Sequence, residues 1–289
     1  MGQEHVRKQF LELISRNRCT SPAPVFDPIS ARIAEEIGYE AAILAGSSAS
    51  LQVLGSPDLV LITLSELVEQ TRRITRACTI PLLVDADHGY GNALNVMRTI
   101  QELSCAGAAA VTIEDTELPD RFDKPGNREV ISLDEALGKM RAASAASRDS
   151  PVCVVARTDL SITGIGECAA RVQAYSQTGA EAVFISGVKT RDQLDALSAA
   201  TSLPLLLGVI PNELKDTDYL ASRRVRLFNL GHQPILASIK ATREALAFGK
   251  GLGLGADQIN LATPHDVELY SRSHQYRIWA EMFLQRAAE

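Results

Sequence analysis

Two aspartates in the stretch Ile80-Pro-Leu-Leu-Val-Asp85-Ala-Asp87-His88-Gly89-Tyr90-Gly91-Asn92 carry the clearest chemical signal in the chain. The apolar run after the proline reads as a buried strand that stops on carboxylates, then turns through glycines into a helix starting near Ala93. Side chains alternate across a strand, so Asp85 and Asp87 are expected to leave it on the same side. Negative charges held that close oppose each other's ionisation and resist burial, and a bound cation removes that cost. Hard oxygen donors, with no thiol or histidine at ligand spacing, suit Mg2+ or Mn2+ rather than zinc. The competing structural account has one aspartate capping the next helix and the other solvated.

A site at one strand end needs neighbouring strands to face it. Apolar runs at 23–26, 40–45, 80–87, 109–115, 152–156, 182–185, 204–207 and 225–228 read as strands. Amphipathic segments at 4–17, 29–37, 64–78 (Ser65 as cap), 93–105, 132–147, 167–178, 190–200 and 235–248 read as helices. Residues 49–63 read as a connection, and 116–131 as a long polar loop of the kind that often serves as a lid. Strands apolar on both faces must be covered on both, which means a parallel sheet. Eight strand–helix units closing on themselves give an α/β fold, a (β/α)8 TIM barrel with additional N- and C-terminal helices. No composition break divides it, so residues 1–289 are expected to form one barrel domain, with 249–289 as a C-terminal helical extension. A doubly wound open sheet is the alternative, but no G-x-G-x-x-G follows the first strand.

Active sites of such barrels lie at the C-terminal strand ends. Those ends carry Gly46-Ser47, Asp85/Asp87, Glu114/Asp115, Arg157, Ser186, Gly208 and His232. Mg2+ takes one or two direct carboxylates and keeps several waters. Asp85 is accordingly read as the direct ligand, with Asp87 and Glu114 acting through water. Arg157 suits a bidentate grip on a substrate carboxylate, or a salt bridge to one of these acids. Glu114 could instead brace the barrel rim, Ser47 could cap a helix, and His232 is either a hydrogen-bonded structural residue or a catalytic and substrate-binding one.

Composition limits the partners. The chain has 289 residues, 46% hydrophobic and 22% charged, with a net charge of -6, giving no electrostatic reason to expect nucleic acid or an anionic membrane. No apolar run approaches the length of a membrane span, and no secretory pattern opens the sequence, so a cytoplasmic location is expected. Five cysteines without C-x-x-C spacing read as reduced core thiols.

Asp85-Ala-Asp-His-Gly-Tyr-Gly-Asn92, Val111-Thr-Ile-Glu-Asp115 and Val154-Val-Ala-Arg157-Thr-Asp159 resemble the phosphoenolpyruvate mutase/isocitrate lyase superfamily over roughly residues 20–245. The resemblance implies a barrel using Mg2+ (Mn2+ possible) on a small 2-oxo diacid. It also implies a dimer or tetramer in which a C-terminal helix is exchanged between subunits, here expected as a homotetramer, a dimer of dimers. It implies that Gly46 and Ser47 bind the substrate carboxylate together with Arg157, that Asp85 binds the metal, and that Asp58, Asp87 and Glu114 support it through water.

Departures from the family pattern narrow the branch. Its carbon–carbon lyases carry a catalytic cysteine in a K-K-C-G-H-type loop, whereas residues 116–131 hold neither cysteine nor histidine. Phosphonate-forming members have P-K-T-N-S, where this chain has Pro119-Asp120-Arg121-Phe122, and Ser186 replaces the histidine expected on strand six. The oxaloacetate decarboxylase branch resembles the chain most, through Phe26-Asp-Pro, Ser50-Leu-Gln-Val, Leu61-Ile-Thr-Leu-Ser-Glu66, Gly91-Asn-Ala-Leu-Asn-Val-Met-Arg98 and Gly231-His232. The implied activity is Mg2+-dependent decarboxylation of oxaloacetate to pyruvate and CO2. The alternatives are a lyase or hydrolase acting on another 2-oxo or 2-hydroxy diacid, and a non-catalytic diacid-binding barrel.

Overall fold

The computed structural model describes residues 3–120, 122, 126, 128–252 and 260–284. The chain divides into two compact units, residues 1–233 and 234–289. The first begins with α1 (Gln3–Ser15), β1 (Ala23–Pro24), α2 (Pro28–Ile37), β2 (Ala42–Leu44), α3 (Gly46–Leu54) and α4 (Leu64–Thr75). It continues with β3 (Leu82–Asp85), α5 (Ala93–Cys105), β4 (Ala110–Glu114), α6 (Leu133–Ala146), β5 (Cys153–Asp159) and α7 (Leu160–Tyr175). The last elements of this unit are β6 (Ala182–Ser186), α8 (Arg191–Ala199), β7 (Leu205–Val209), α9 (Thr217–Ser222) and β8 (Val225–Asn229). Beyond the division run most of α10 (Gln233–Gly249), then α11 (Pro264–Ser271) and α12 (Ser273–Phe283).

The eight strands are parallel and lie in chain order. Closure comes from Thr20, just before β1: its N–H donates to the Arg226 carbonyl at 3.0 Å, and its carbonyl accepts from the Phe228 N–H at 3.1 Å. The result is a nearly closed TIM-like barrel.

Strand alternation then sorts the side chains. Ile43, Leu83, Ala110, Val155, Phe184, Leu206 and Leu227 belong to a small inner core, and α1 adds Phe10, Leu13 and Ile14 to that same cluster. The larger core, with Leu44, Val84, Val111, Val154, Val183, Leu207 and the helix faces, lies on the other side of the strands. Counting two residues on from an inner position reaches Asp85, Thr112 then Glu114, Arg157, Ser186, Gly208 and Asn229. The barrel's own parity therefore gathers the polar strand ends at one mouth.

Several expected boundaries move. Residues 49–54 are helical, not connection: α3 starts directly at Gly46 and stops at Gly55. Ser and Gly lower helix propensity there, and burial of Ser48, Ala49 and Ser50 supplies what propensity lacks. The α4 cap is Thr63, in a reciprocal capping box with Glu66, rather than Ser65. Asp27 and Ser30 cap α2 together. α7 begins seven residues before the expected start at 167, its first turn capped by Asp159 and its helical path broken at Gly164. Cys19, Cys78, Cys153 and Cys168 are buried as core thiols, but Cys105 is exposed, at the last turn of α5. Part of the expected 249–255 link, residues 253–255, lies outside the described residues. Among the described residues no helix is long and apolar enough to cross a membrane.

Candidate active site

Three adjacent strands build the centre of the site. Register places Asp85 beside Thr112 and Glu114 beside Arg157, so cross-strand neighbours have opposite charge or complementary hydrogen-bonding groups. Arg157 Nη1 donates to Asp85 Oδ2 at 2.7 Å, and its Nε lies 3.0 Å from Glu114 Oε2. Thr112 Oγ1 donates to the other Asp85 oxygen at 3.0 Å. From β6, Phe184 puts its ring 5.4 Å from the guanidinium carbon. The salt-bridge reading of Arg157 therefore describes its geometry here: it is paired with both acids.

Each carboxylate answers differently to this environment. Burial works against ionisation of Asp85, but Arg157, the Thr112 hydroxyl and the Gly46 amide outweigh it and hold the carboxyl below its usual range. Glu114 is raised by burial and by Asp85, against the pull of Arg157. Asp87 is pushed up to about 8, by burial first and then by Asp85, Glu114 and Asp58. One guanidinium does not neutralise the group.

Asp87 is not a strand residue. β3 ends at Asp85, and Asp87 sits in the left-handed region at φ 46°, which Asp tolerates better than most side chains. Its carbonyl accepts from the Glu114 N–H at 2.8 Å, which ties the turn to β4. The expectation that simple alternation puts both aspartates on one side is thus corrected: a backbone turn, not the pleat, brings Asp87 to the group. There it meets Gly46, where an added Cβ would stand 2.7 Å from Asp87 Oδ1. A methyl at this point must displace the carboxylate. The Gly46→Ala protein is expected to fold normally and to bind Mn2+ on the order of tenfold more weakly, as losses around a ligand shell do, measured by Mn2+ electron paramagnetic resonance.

Gly46 also opens α3, whose N-cap, Ala45, makes no side-chain bond. The Gly46 N–H reaches Asp85 Oδ2 at 3.5 Å, and the uncapped N–H groups with the helix dipole favour an anion at this end. His232 joins the same place from the end of β8. Gly231, at φ 108°, makes the turn that a side chain at that position would strain. His232 Nε2 then lies 3.1 Å from Ser47 Oγ, and Nδ1 lies 3.3 Å from Ser48 Oγ.

Asp58 lies on the connection after α3. Its surface is open to solvent, yet neighbouring chain crowds it enough that burial and then Asp85 raise its carboxyl, with Arg128, Arg157 and His232 pulling the other way. Asp115, grouped in the sequence with Glu114, turns to the opposite face of β4. It is buried against Arg171 Nη1 at 3.1 Å and the Tyr175 hydroxyl, and it reaches the mouth only as a charge that adds to the rise of Glu114. Arg171 also donates to the Ile131 carbonyl at 2.8 Å, fixing the return of the 116–131 loop.

Sequence reasoning missed Thr112, Phe184, Ser48 and Lys139. Thr112 and Phe184 were findable, since each sits two residues from, or in register with, a named strand-end residue. Lys139 reaches in from α6 to donate to the His88 carbonyl at 2.9 Å, and burial depresses both its own pKa and that of His88, the latter to about 4.

The donor set fits a hard divalent cation: oxygen ligands only, more acidic groups than Arg157 offsets, and in Asp87 a carboxyl pushed up by burial and by the acids beside it. Among the described residues no three His, Cys, Asp or Glu side chains form a ready-made cage. That is compatible with an ion held by one direct carboxylate and completed by water.

A family model for phosphoenolpyruvate phosphomutase matches residues 10–248. The chain belongs to that family. A Bradyrhizobium sp. (strain ORS 278) oxaloacetate decarboxylase is 48% identical over 92% of this chain and 91% of its own length. Among solved members, an oxaloacetate acetylhydrolase bound to 3,3-difluorooxalacetate superimposes with a TM-score of 0.84 at 27% identity, covering 99% of each chain. Phosphonopyruvate hydrolase in complex with oxalate and Mg2+ superimposes with a TM-score of 0.81 at 26% identity, covering 99% of this chain and 100% of that one. The family thus includes proteins that hold Mg2+ and small diacids on this fold.

Proposed function

We propose that this family member is a cytoplasmic, Mg2+-dependent oxaloacetate decarboxylase that releases pyruvate and CO2. The observation that carries the reading is the Asp85–Arg157–Glu114 group with Asp87 beside it, an excess of buried negative charge next to an uncapped helix N-terminus. It is joined by the 48% identity to a decarboxylase over nearly the whole chain. Asp85 would hold the ion directly, with Asp58, Asp87 and Glu114 supporting it through water. Mg2+ bound there supplies Lewis-acid stabilisation of the charge that collects on the C2 oxygen.

The chain's own residues do the rest. Ser47, the first N–H groups of α3 and Arg157 fix the C1 carboxylate, which leaves the C4 carboxylate free to depart. The C3–C4 bond breaks, its electron pair forms the C2–C3 double bond of an enolate, and CO2 leaves. His232 orients the substrate beside Ser47. Arg157 and the N–H donors of α3, fixed before the bond breaks, put positive charge on the side of the substrate where negative charge develops, which stabilises the transition state more than the ground state. C3 then takes a proton.

A pyruvate-release assay on oxaloacetate, with and without added Mg2+, tests the reading. Mg2+-dependent pyruvate is expected. Acetate and oxalate in its place would favour hydrolysis, the activity named for the acetylhydrolase relative. Oxalate binding without turnover would favour a non-catalytic barrel.

The same reading gives a pH dependence. Asp87 keeps its proton in the folded, metal-free protein up to about 8 but releases it near 3.8 when unfolded. The folded state therefore holds more protons between those values, and metal-free stability falls as pH rises through that window, by up to about 1.4 kcal/mol per pH unit. With a cation held beside it, Asp87 would be favoured in its ionised form and the penalty removed. Thermal melts are expected to show a Mg2+-induced rise in Tm that grows from pH 6 to pH 8. An increment that shrinks over that range would count against metal binding at Asp87.

Exposed apolar side chains on α10 and α12, among them Leu246, Trp279, Met282 and Phe283, fit burial against a second copy. The assembly we propose is a homotetramer built as a dimer of dimers with the C-terminal helix exchanged. Sedimentation equilibrium giving a monomer would overturn it.

A further inference from the structure

We propose that Ser48 is a positioning residue that sets the tautomer of His232. A directed hydrogen-bond chain then runs from Ser48 through the imidazole to Ser47 and presents the Ser47 hydroxyl proton to the substrate anion. The inference rests on the reading of this mouth as a diacid site. It deepens that reading by assigning a residue that does not itself touch substrate.

The geometry is a hydroxyl–imidazole–hydroxyl line: Ser48 Oγ to Nδ1 at 3.3 Å and Nε2 to Ser47 Oγ at 3.1 Å. A neutral imidazole has one donor and one acceptor nitrogen, so the line has two polarities. In one, the Ser48 hydroxyl donates to Nδ1, Nε2–H donates to Ser47 Oγ, and the Ser47 proton is free to point outward. In the other, the Ser47 hydroxyl donates to Nε2, Nδ1–H donates to Ser48 Oγ, and the Ser48 proton needs a further acceptor. Ser48 is 4% exposed, and among the described residues His232 Nδ1 is the hydrogen-bond partner its hydroxyl has. The second polarity therefore strands a buried donor, at a cost the first avoids.

Electrostatics favours the same direction. Ser47 and Ser48 lie in the first turn of α3, which begins at Gly46 without a side-chain cap. An anion seated there meets N–H groups and the positive end of the helix dipole. The first polarity adds a hydroxyl proton facing that anion, and each bond in the line polarises the next. The second turns the Ser47 lone pairs towards it.

The test reads the ring directly. In protein carrying 15N-labelled histidine, the His232 resonances are assigned by their loss in His232→Gln. The nitrogen shifts then report the tautomer, in the free protein and with Mg2+ and oxalate added. The wild-type ring is expected to carry its proton on Nε2 in both states. Ser48→Ala is expected to show a mixed or reversed tautomer and roughly tenfold weaker oxalate binding, and Ser48→Thr, which restores the hydroxyl, to recover both. A wild-type ring protonated on Nδ1, or on both nitrogens at neutral pH, overturns the proposal even if Ser48→Ala fails to fold. So does an unchanged Nε2–H tautomer in folded Ser48→Ala. Because the tautomer is read without turnover, absence of pyruvate release would sink the decarboxylase reading while leaving this result intact.

Discussion

Asp85→Ala is expected to lose decarboxylation by on the order of 10^3-fold in kcat, about 4 kcal/mol of transition-state stabilisation, while remaining folded. The loss follows from where the carboxylate stands. Asp85 is the carboxyl of the group held below its usual range, because Arg157, Thr112 and the Gly46 amide all stabilise its charged form. On the proposed reading it is therefore the ligand available to a cation without first shedding a proton. Removing it eases the repulsion on Asp87 but leaves Arg157 with Glu114 alone of its two acids, so metal-free stability is expected to fall although the fold is kept. Asp85→Asn is the sharper variant: the amide oxygen keeps a partner for Thr112 Oγ1, but the charge is gone. Steady-state rates after EDTA treatment and Mg2+ readdition, set beside near-ultraviolet circular dichroism, separate lost chemistry from lost structure. Near-full activity in either folded variant would refute the metal role.

Much of this site could be read before any coordinates, for a reason particular to parallel barrels. The polar residues of the group lie at or near strand ends, and alternation decides which of two adjacent polar residues faces inward. Leu83 faces inward, so Asp85 does; Val155 faces inward, so Arg157 does. The same rule sends Glu114 to the mouth and Asp115 to Arg171 and Tyr175. Sequence alone paired those acids because it does not say which parity is inner. That parity is fixed only once the strands close and α1 contributes Phe10 to the inner core.

What stayed hidden lay in turns and caps rather than strands. Asp87 reaches the group through a left-handed residue, which no apolar periodicity announces. α3 was unreadable because Gly46-Ser-Ser-Ala-Ser50 has the composition of a loop, and tertiary burial overrides its weak propensity. Losing α3 also concealed Ser48, whose meaning depends on sharing a first turn with Ser47. His232 was visible as a strand-end histidine. Its two serine partners stand at Ser47 and Ser48, across the barrel seam in sequence, and only closure of the ring brings them together.

Arg157→Leu is expected to separate substrate binding from metal binding. The guanidinium is largely buried, at 2.7 Å from Asp85 and 3.0 Å from Glu114, and those acids keep it charged against the cost of burial. On the proposed reading its loss removes the cation facing the substrate carboxylate, and kcat/KM should fall by on the order of 10^2- to 10^3-fold. The carboxylates left behind are no longer neutralised, so Mg2+, the remaining source of positive charge, should bind at least as tightly as before by calorimetry. Stability without metal should fall by about 3 kcal/mol, as when one partner of a buried ion pair is deleted, with part of that recovered on adding Mg2+. Arg157→Lys should rescue little. A single ammonium cannot bridge Asp85 Oδ2 and Glu114 Oε2 while lying over the Phe184 ring. Near wild-type kcat/KM in Arg157→Lys would show that charge alone suffices, and the planar grip assigned to Arg157 would have to be abandoned.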